Sequence, residues 1–224
     1  MSEHTGDHVS ATDTVRTVVH LLRHGEVHNP EGILYGKLPG YGLSERGRNM
    51  AQLVADHLAC RDVTVVASSP LERARQTAEP FLATFGVPLR VDDRLVEAHN
   101  SFEGRNMNAG ASYLDPRLWH LLVNPFRPSW GEPYGRIAAR MLAVVDAARD
   151  AARGHEAVLV SHQLPVWTAR CALEGRRLWH DPRRRQCRLA SLTTLTYEED
   201  HLLSVSYSEP ARALYPGSTG GVGA

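Results

Sequence analysis

The tripeptide Arg23-His24-Gly25 directly follows an apolar run, Thr17–Leu22, that is typical of a buried strand. An imidazole beside a guanidinium at a strand end is suited to phosphoryl chemistry. Arginine makes two parallel charge-assisted hydrogen bonds to phosphate oxygens, and a neutral histidine can attack phosphorus and become phosphorylated. The glycine would allow a ligand to approach the turn closely. Such chemistry needs further partners, which must come from other segments.

A second segment predicts a short buried strand, Val63–Ser68, followed by a helix. Ser69 is expected to cap this helix, with Glu72 completing a capping box, and Gly86 is expected to end it. Arg73 then lies in the first helical turn. There its charge adds to that of the helix N-terminal N–H groups, which favours an anion.

A third segment, Glu156–Gln163, reads as an apolar strand that ends in Ser161-His162. Parallel strands place their carboxyl ends at one crevice, so His24 and His162 are expected to converge. The second histidine would add charge or hydrogen bonds at the equatorial phosphoryl oxygens, where negative charge is spread in the transition state.

A departing alkoxide needs a proton, which a protonated carboxylic acid can supply. Glu97, which directly follows the hydrophobic pair Leu95-Val96, is the favoured proton donor. Asp92 and Glu103 compete for this role.

These segments resemble the histidine phosphatase superfamily, also called the phosphoglycerate mutase-like family, over residues 17–208. The motifs that carry the resemblance are Leu22-Arg23-His24-Gly25-Glu26, Leu43–Gly47, Ser68–Ala78, Leu95-Val96-Glu97 and Val160-Ser161-His162. The resemblance implies that His24 is the phosphorylated nucleophile and Glu97 the proton donor. It also implies that Arg23, Arg73 and His162 form the phosphate pocket.

Two positions depart from the family pattern. Gln163 stands where the family usually has glycine, so a backbone contact to phosphate is either lost or replaced by the glutamine amide. Asn29 corresponds to a family asparagine only with a one-residue gap. Together with Gly25, these two residues, Asn29 and Gln163, are the candidate substrate-binding residues.

Composition is compatible with this interpretation. A chain of 224 residues fits one large domain, and its net charge of zero does not indicate attraction to nucleic acid or membrane. No apolar stretch reaches the roughly 20 residues of a membrane helix, and the polar N-terminus resembles no signal peptide. Three widely spaced cysteines, without a Cys-x-x-Cys pair, predict reduced thiols in a cytoplasmic protein.

Strand-like and helix-like segments alternate, which predicts a single α/β domain with a mainly parallel central sheet flanked by helices. Further elements are expected at about Glu45–Ala59, Tyr134–Ala152 and Leu164–Leu173 for helices, and Leu192–Tyr197 with Leu202–Tyr207 for a hairpin. The domain is expected to span 17–208, between a disordered tail at 1–16 and a flexible tail at 209–224. Residues 98–133 fit no regular pattern and are interpreted as an irregular lid insertion over the site.

Two other patterns are set aside. His20, His24 and His28 recur at a helical metal-ligand spacing, but their context is β-rich, so no metal site is expected. The run Arg183–Arg185, with Arg188, lacks interleaved aromatic residues, which favours a solvated basic loop that steers anionic substrates over an RNA-binding patch.

Three functions remain open. The favoured one is a cofactor-independent phosphomonoester hydrolase that acts on a small phosphorylated substrate through a phosphohistidine at His24. A 2,3-bisphosphoglycerate-dependent phosphoglycerate mutase is the alternative, and a catalytically silent phosphate-binding protein is the third. The insertion offers only Arg105, Arg117 and Arg127 and no lysine to clamp a three-carbon acid, which favours the hydrolase. Neither the substrate nor the oligomeric state follows from the sequence.

Overall fold

Six strands form the central sheet in the computed structural model of the chain, which describes residues 14–101, 103–106 and 131–215. They are β1 (Arg16–Arg23), β2 (Val63–Ser68), β3 (Leu89–Val91), β4 (Glu156–Ser161), β5 (Leu192–Glu198) and β6 (His201–Ser208). The strand order is β3-β2-β4-β1-β5-β6. The first four are parallel neighbours, whereas β5 and β6 form an antiparallel hairpin on the edge of β1. The predictions of a mainly parallel sheet and of the hairpin are confirmed.

Four α-helices of the described residues cover the two faces of this sheet: α1 (Glu45–Leu58), α2 (Glu72–Phe85), α3 (Tyr134–Ala151) and α4 (Gln163–Leu173). Successive side chains of a strand point to opposite faces, and β4 shows the consequence. Val158 and Val160 pack with α1 and α2, whereas Ala157 and Leu159 pack with α3 and α4. The apolar runs of the sequence are thus strands buried on both sides, and the predicted α/β fold class is confirmed.

The start of α2 differs from the sequence prediction. The helix begins at Glu72, and its N-cap is Leu71, whose side chain makes no capping hydrogen bond, so the predicted capping box at Ser69 is wrong. The hydroxyl of Ser69 instead lies 2.8 Å from Nε2 of His162, a partner that only the tertiary fold supplies. Gly86 ends the helix in the left-handed conformation, at φ 66°, as predicted.

The carboxyl ends of neighbouring strands are level with one another. Arg23 of β1 is paired with Ser161 of β4, and the N–H of His24 continues this ladder by donating to the Ser161 carbonyl oxygen at 3.0 Å. On the other side of β4, the N–H of Ser69 donates to the carbonyl oxygen of Val160 at 2.9 Å. The residues that follow β1, β2 and β4 therefore emerge side by side at one edge of the sheet.

The segment that carries Glu97 is attached to the same edge. After β3 the chain makes a single 3₁₀ turn, Asp93–Leu95. The Ser161 hydroxyl donates to the Leu95 carbonyl oxygen at 2.7 Å, and the Asp92 N–H donates to the Ser68 carbonyl oxygen at 3.0 Å. These two bonds hold the turn against the ends of β4 and β2.

The described chain continues beyond the predicted domain end at 208. Residues Arg212–Leu214 form a 3₁₀ turn, Ala211 is buried with the α1–α2 side of the core, and the Tyr215 hydroxyl donates to the Leu189 carbonyl oxygen at 3.0 Å. The predicted flexible tail therefore does not begin at 209. The chain up to Tyr215 belongs to the domain, because Ala211 packs in its apolar core. Residues 1–13 and 216–224 lie outside the described residues.

Most of the predicted lid also lies outside the described residues, at positions 102 and 107–130. Its described ends make two isolated antiparallel bridges, Ile33 with Asn106 and Asn100 with Gly131. No helix in the described parts of the chain is long and apolar enough to cross a membrane.

Candidate active site

His24 is fully buried at the end of β1. Its Nδ1 lies 2.8 Å from the Gly25 carbonyl oxygen, which can only accept, so Nδ1 carries the hydrogen. Nε2 is buried and has no partner among the described residues. Burial, and then the charges of Arg73 and Arg23, hold the pKa of His24 well below its usual range. The ring is therefore neutral and keeps a free lone pair at Nε2.

Two buried guanidiniums lie beside this imidazole. Arg23 donates from Nη1 to the Cys187 carbonyl oxygen at 2.8 Å, and Arg73 donates from Nη2 to the Gly36 carbonyl oxygen at 2.5 Å. The guanidinium of Arg73 also lies 4.7 Å from the ring centroid of Tyr35, a cation–π contact. Backbone carbonyls and an aromatic face thus orient both cations. Hydrogen-bonding capacity remains at Arg73, whose buried Nε has no partner among the described residues.

His162 faces His24 across the crevice, with ring centroids 5.1 Å apart and planes at 60°. It stands at the N-cap position of α4, and burial, with Arg73 and His24 next in effect, holds its pKa well below its usual range. Nε2 is bonded to Ser69, whereas Nδ1 is buried without a partner among the described residues. The second imidazole therefore offers an unused nitrogen to a ligand.

Glu97 is the buried carboxyl group of the crevice. Its Oε1 accepts the Ala98 N–H at 2.8 Å, and its Oε2 has no partner among the described residues. Burial raises the pKa of Glu97, against the lowering effects of the Ala98 N–H and of Arg73 and Arg23. A carboxyl group of this kind retains its proton at higher pH than an exposed glutamate and can donate it.

The two competing carboxylates serve other purposes. Asp92 pairs with Arg94 at 2.7 Å and caps the 3₁₀ turn, and the Arg94 hydrogen bonds lower its pKa, so it is unsuited to donate a proton. Glu103 accepts the Asn100 N–H at 3.3 Å.

The structure shows a packing role for Gly25, and the ligand approach expected from the sequence stays a prediction. A Cβ at this position would lie 2.5 Å from the carbonyl oxygen of Gly47, so the close approach is made by the backbone of α1. The Gly25 N–H donates to Thr77 Oγ1 at 3.1 Å, and the Gly25 carbonyl accepts from His24. Gly25 thus locks the nucleophile candidate between α1 and α2.

The side chains of Asn29 and Gln163 are both engaged within the protein. The Asn29 amide donates to the Ile33 carbonyl oxygen at 2.8 Å and accepts the Ile33 N–H at 3.0 Å, which closes the loop 29–33. The Gln163 amide donates to the Cys187 carbonyl oxygen at 3.4 Å and accepts from Arg185 at 3.3 Å. Their contacts with phosphate remain predictions.

Sequence reasoning missed three participants. Tyr35 is buried under Arg73, with its ring centroid 6.5 Å from that of His24. Ser69 holds His162. Arg185 is partly buried beside Gln163 rather than solvated, and nothing in a run of three arginines distinguishes it from Arg183, whose side chain is 90% exposed. The signals for Tyr35 and Ser69 were equally absent, because both contacts join distant segments.

A cleft of about 400 Å³ lies next to the segment that carries Glu97. Its lining includes Val96, next to the buried acid, together with Lys37, His99, Arg136 and Arg140. Arg140 is paired with Glu132 at 3.0 Å. Four of these lining residues are basic, and Glu132 is an acidic residue that also lines the cleft.

His20 lies outside this site. It lies 2.9 Å from Thr194 Oγ1 and 2.7 Å from Glu156 Oε2, within the sheet. Within residues 14–101, 103–106 and 131–215, no three His, Cys, Asp or Glu side chains are grouped in a way that could hold a metal ion.

Comparison with known proteins shows the family to which the chain belongs. The family described as the histidine phosphatase superfamily (branch 1) matches residues 19–210. The chain belongs to this superfamily. An uncharacterised protein of Mycobacterium tuberculosis H37Rv is 57% identical over 196 residues, which cover 87% of this chain and 97% of that protein. A probable phosphoglycerate mutase, GpmB of Photorhabdus laumondii, is 29% identical over 83% of this chain and 87% of its own length.

The fold agrees as well. The solved structure of a mycobacterial glucosyl-3-phosphoglycerate phosphatase matches with a TM-score of 0.66 at 26% identity, covering 81% of this chain and 90% of that one. The resemblance stated from the sequence is thus confirmed. The chain is an enzyme of the phosphatase and phosphoglycerate mutase type, and small phosphorylated compounds are its expected class of substrate.

Proposed function

We propose that this histidine phosphatase is a phosphomonoester hydrolase in which His24 is the phosphorylated nucleophile. The observation that supports this proposal most directly is the Nε2 atom of His24. It is buried, neutral and unpartnered among the described residues, while Nδ1 is tied to the Gly25 carbonyl. A nucleophile at phosphorus needs such a lone pair, held beside cations that offset the charge of the phosphate.

In the first half-reaction, the guanidiniums of Arg23 and Arg73 hold the phosphate dianion. Nε2 of His24 attacks phosphorus, the P–N bond forms and the P–O bond to the alcohol breaks. Glu97 gives its proton to the departing alkoxide, so the alcohol leaves neutral. Nδ1 of His162 stands ready to donate a hydrogen bond to an equatorial oxygen as charge spreads there.

In the second half-reaction, water enters the space left by the alcohol. The Glu97 carboxylate takes a proton from this water as its oxygen attacks phosphorus, and the P–N bond breaks. Inorganic phosphate leaves, and both His24 and protonated Glu97 are restored. One carboxyl group therefore acts first as acid and then as base.

The phosphoglycerate mutase is the second candidate, because relatives such as the probable mutase GpmB align over most of the chain. The composition of the insertion favours hydrolysis, because the insertion has three arginines and no lysine. Two of these arginines, Arg117 and Arg127, lie outside the described residues. The solved neighbour named for glucosyl-3-phosphoglycerate phosphatase activity supports a hydrolase as well. The free state of Cys60, Cys171 and Cys187 supports a reducing, cytoplasmic location.

The test of the mechanism is chemical trapping. Brief incubation with a radiolabelled phosphate ester should label the protein at His24 through a bond that acid cleaves and alkali leaves intact. His24→Ala should neither take up label nor release phosphate. The matched control is His28→Ala, since His28 is exposed in the next loop. Full activity in His24→Ala would overturn the proposal, and a folded, inactive wild type would favour the binding-protein alternative.

A second assay separates hydrolase from mutase. With 3-phosphoglycerate and a catalytic amount of 2,3-bisphosphoglycerate, we expect phosphate release and little 2-phosphoglycerate. Isomerisation faster than phosphate release would reverse the assignment.

A further inference from the structure

Arg185 is held rigidly beside the active site by two uncharged partners. Its Nε donates to Nε2 of His180 at 2.8 Å, and its Nη1 donates to the Gln163 side-chain oxygen at 3.3 Å. His180 can accept this bond because its Nδ1 hydrogen is given to the Leu178 carbonyl oxygen at 2.6 Å. The His180 ring is in turn fixed between Tyr134 and Trp167, at centroid distances of 5.7 and 5.8 Å.

The charge of Arg185 has no counter-ion in the described part of the chain. Its neighbour Arg183 pairs with Asp181 at 3.1 Å, whereas Arg185 takes part in none of the ion pairs among these residues. Glu97 is a carboxyl group within its electrostatic range, and burial raises the pKa of that group. A guanidinium that is partly withdrawn from water without a counter-ion costs free energy, and an anionic ligand would offset this cost.

A short chain of hydrogen bonds joins Arg185 to the phosphate pocket. The Gln163 amide accepts from Arg185 and donates to the Cys187 carbonyl oxygen, which also accepts from Arg23 at 2.8 Å. Gln163 therefore connects the two guanidiniums through the Cys187 carbonyl group. This gives the glutamine at the family's glycine position a structural reason, since a glycine could not connect them.

We propose that Arg185 binds a second anionic group, carboxylate or phosphate, on the alcohol part of the substrate. This inference rests on the proposed function, in which Arg23 and Arg73 hold the transferred phosphate and Glu97 marks the leaving-group side. Two guanidiniums balance a phosphate dianion, so a third beside the acid matches a further negative charge. Phosphorylated hydroxy acids and bisphosphates are the two substrate classes with this charge.

Matched substrate pairs test the proposal. 3-Phosphoglycerate and glycerol 3-phosphate differ in a carboxylate against a hydroxymethyl group, and 1,3-propanediol bisphosphate and its monophosphate differ in a second phosphate. The wild type should have the higher kcat/KM for the anionic member of at least one pair, and the preferred pair identifies the group. Arg185→Met should lower this preference about 10- to 150-fold, which corresponds to the 1.5–3 kcal/mol of a hydrogen bond to a charged group.

The ratio within a pair separates recognition from a structural role. Loss of structure would lower kcat/KM equally for both members of a pair and leave their ratio unchanged, and this result would overturn the proposal. A wild type that shows no preference in either pair would also overturn it. Arg183→Met removes the same charge from the same loop and should leave the ratio unchanged. If Arg185→Met does not fold, Arg185→Gln, which keeps an N–H donor for the Arg185 partners, makes the same test.

Hydrolysis of p-nitrophenyl phosphate shows whether the role of Arg185 alone is wrong or the proposed hydrolase function is wrong with it. If the wild type releases phosphate from it without preferring anionic substrates, this inference is wrong and the proposed hydrolase stands. If no ester is cleaved, both are wrong.

Discussion

The hydroxyl oxygen of Ser69 lies 2.8 Å from Nε2 of His162 and orients its ring. The same oxygen accepts the Leu71 N–H at 3.3 Å, so its own hydrogen is available to the imidazole. When Ser69 donates to Nε2, the hydrogen of His162 is on Nδ1, the nitrogen left without a partner among the described residues. A residue that helix-capping rules assign to the start of α2 thus bonds and orients the imidazole of a proposed phosphate ligand.

Replacing this hydroxyl should affect catalysis more than stability of the helix. In Ser69→Ala we expect kcat to fall about 3- to 10-fold, since one hydrogen bond of roughly 1 kcal/mol orients the ring. Steady-state kinetics with an alkyl phosphate measure this loss. The control is Ser68→Ala, because the equally buried Ser68 hydroxyl donates to the Ser69 carbonyl oxygen at 3.0 Å and not to the imidazole. An equal fall in kcat for both variants would contradict the assigned role.

A methyl group at Gly25 should destabilise the domain. The added Cβ would lie 2.5 Å from the Gly47 carbonyl oxygen, so α1 or the turn after β1 must shift. We expect the free energy of unfolding of Gly25→Ala, measured in urea, to fall by about 1–3 kcal/mol. Gly135→Ala is the control, since a Cβ there meets none of the described residues within 4 Å at the start of α3. Unchanged stability of Gly25→Ala would show that the two backbones separate freely.

Much of the site follows from strand ends. The apolar runs before His24, Ser69 and His162 predict strands, and in a parallel sheet strands of similar length end at one edge. The residue types at this edge are then enough to predict a candidate site, because histidine and arginine side chains there face a common crevice. This is why the residues proposed for the nucleophile and the phosphate pocket could be named before their distances were known.

The remaining contacts depend on loops that meet only in three dimensions. Ser69 was assigned to a helix cap because local rules cannot show His162 approaching from α4. The packing of Gly25 against Gly47 is missed for the same reason, since Gly47 lies 22 positions away in the sequence. Arg183 and Arg185 have identical chemistry, and only the packing of His180 between two aromatic rings draws one of them inwards.

Phosphate release should not require a metal ion. The guanidiniums of Arg23 and Arg73, with the Nδ1 donor of His162, already supply charge and hydrogen bonds to the phosphate oxygens. Dialysis against EDTA should therefore leave kcat unchanged. Loss of activity on chelation, restored by one divalent ion, would contradict this expectation.

Removing the ionisable group of Glu97 should stabilise the protein in alkaline solution. Burial raises its pKa above the usual 4.5, so between the two values the unfolded chain loses a proton that the folded chain keeps. Stability due to this group is complete below the usual pKa and is lost as pH rises through the folded value. The free energy of unfolding of Glu97→Gln should therefore exceed that of wild type at pH 8 by roughly 1.4 kcal/mol per unit of pKa shift, with no such gain at pH 4. A variant less stable at both pH values would show that the native carboxyl group is ionised.

The same substitution should reveal the leaving group's need for a proton. An alkoxide from glycerol phosphate is strongly basic, whereas p-nitrophenolate leaves without help. Glu97→Gln should slow cleavage of the alkyl ester about 10²- to 10⁴-fold and slow cleavage of p-nitrophenyl phosphate much less, provided that phosphorylation of His24 is the step observed. The wild-type rate on the alkyl ester should fall as pH rises through the raised pKa of Glu97, and the variant should lack this decline.

Glu103→Gln is the control for this comparison, because Glu103 was the competing carboxylate and its Oε1 accepts the Asn100 N–H. It should retain wild-type discrimination between the two esters. If Glu103→Gln alone shows the dependence on leaving group, the proton donor is Glu103. If Glu97→Gln slows both esters equally, Glu97 orients the site without giving a proton, and the proton must reach the alkoxide from another group.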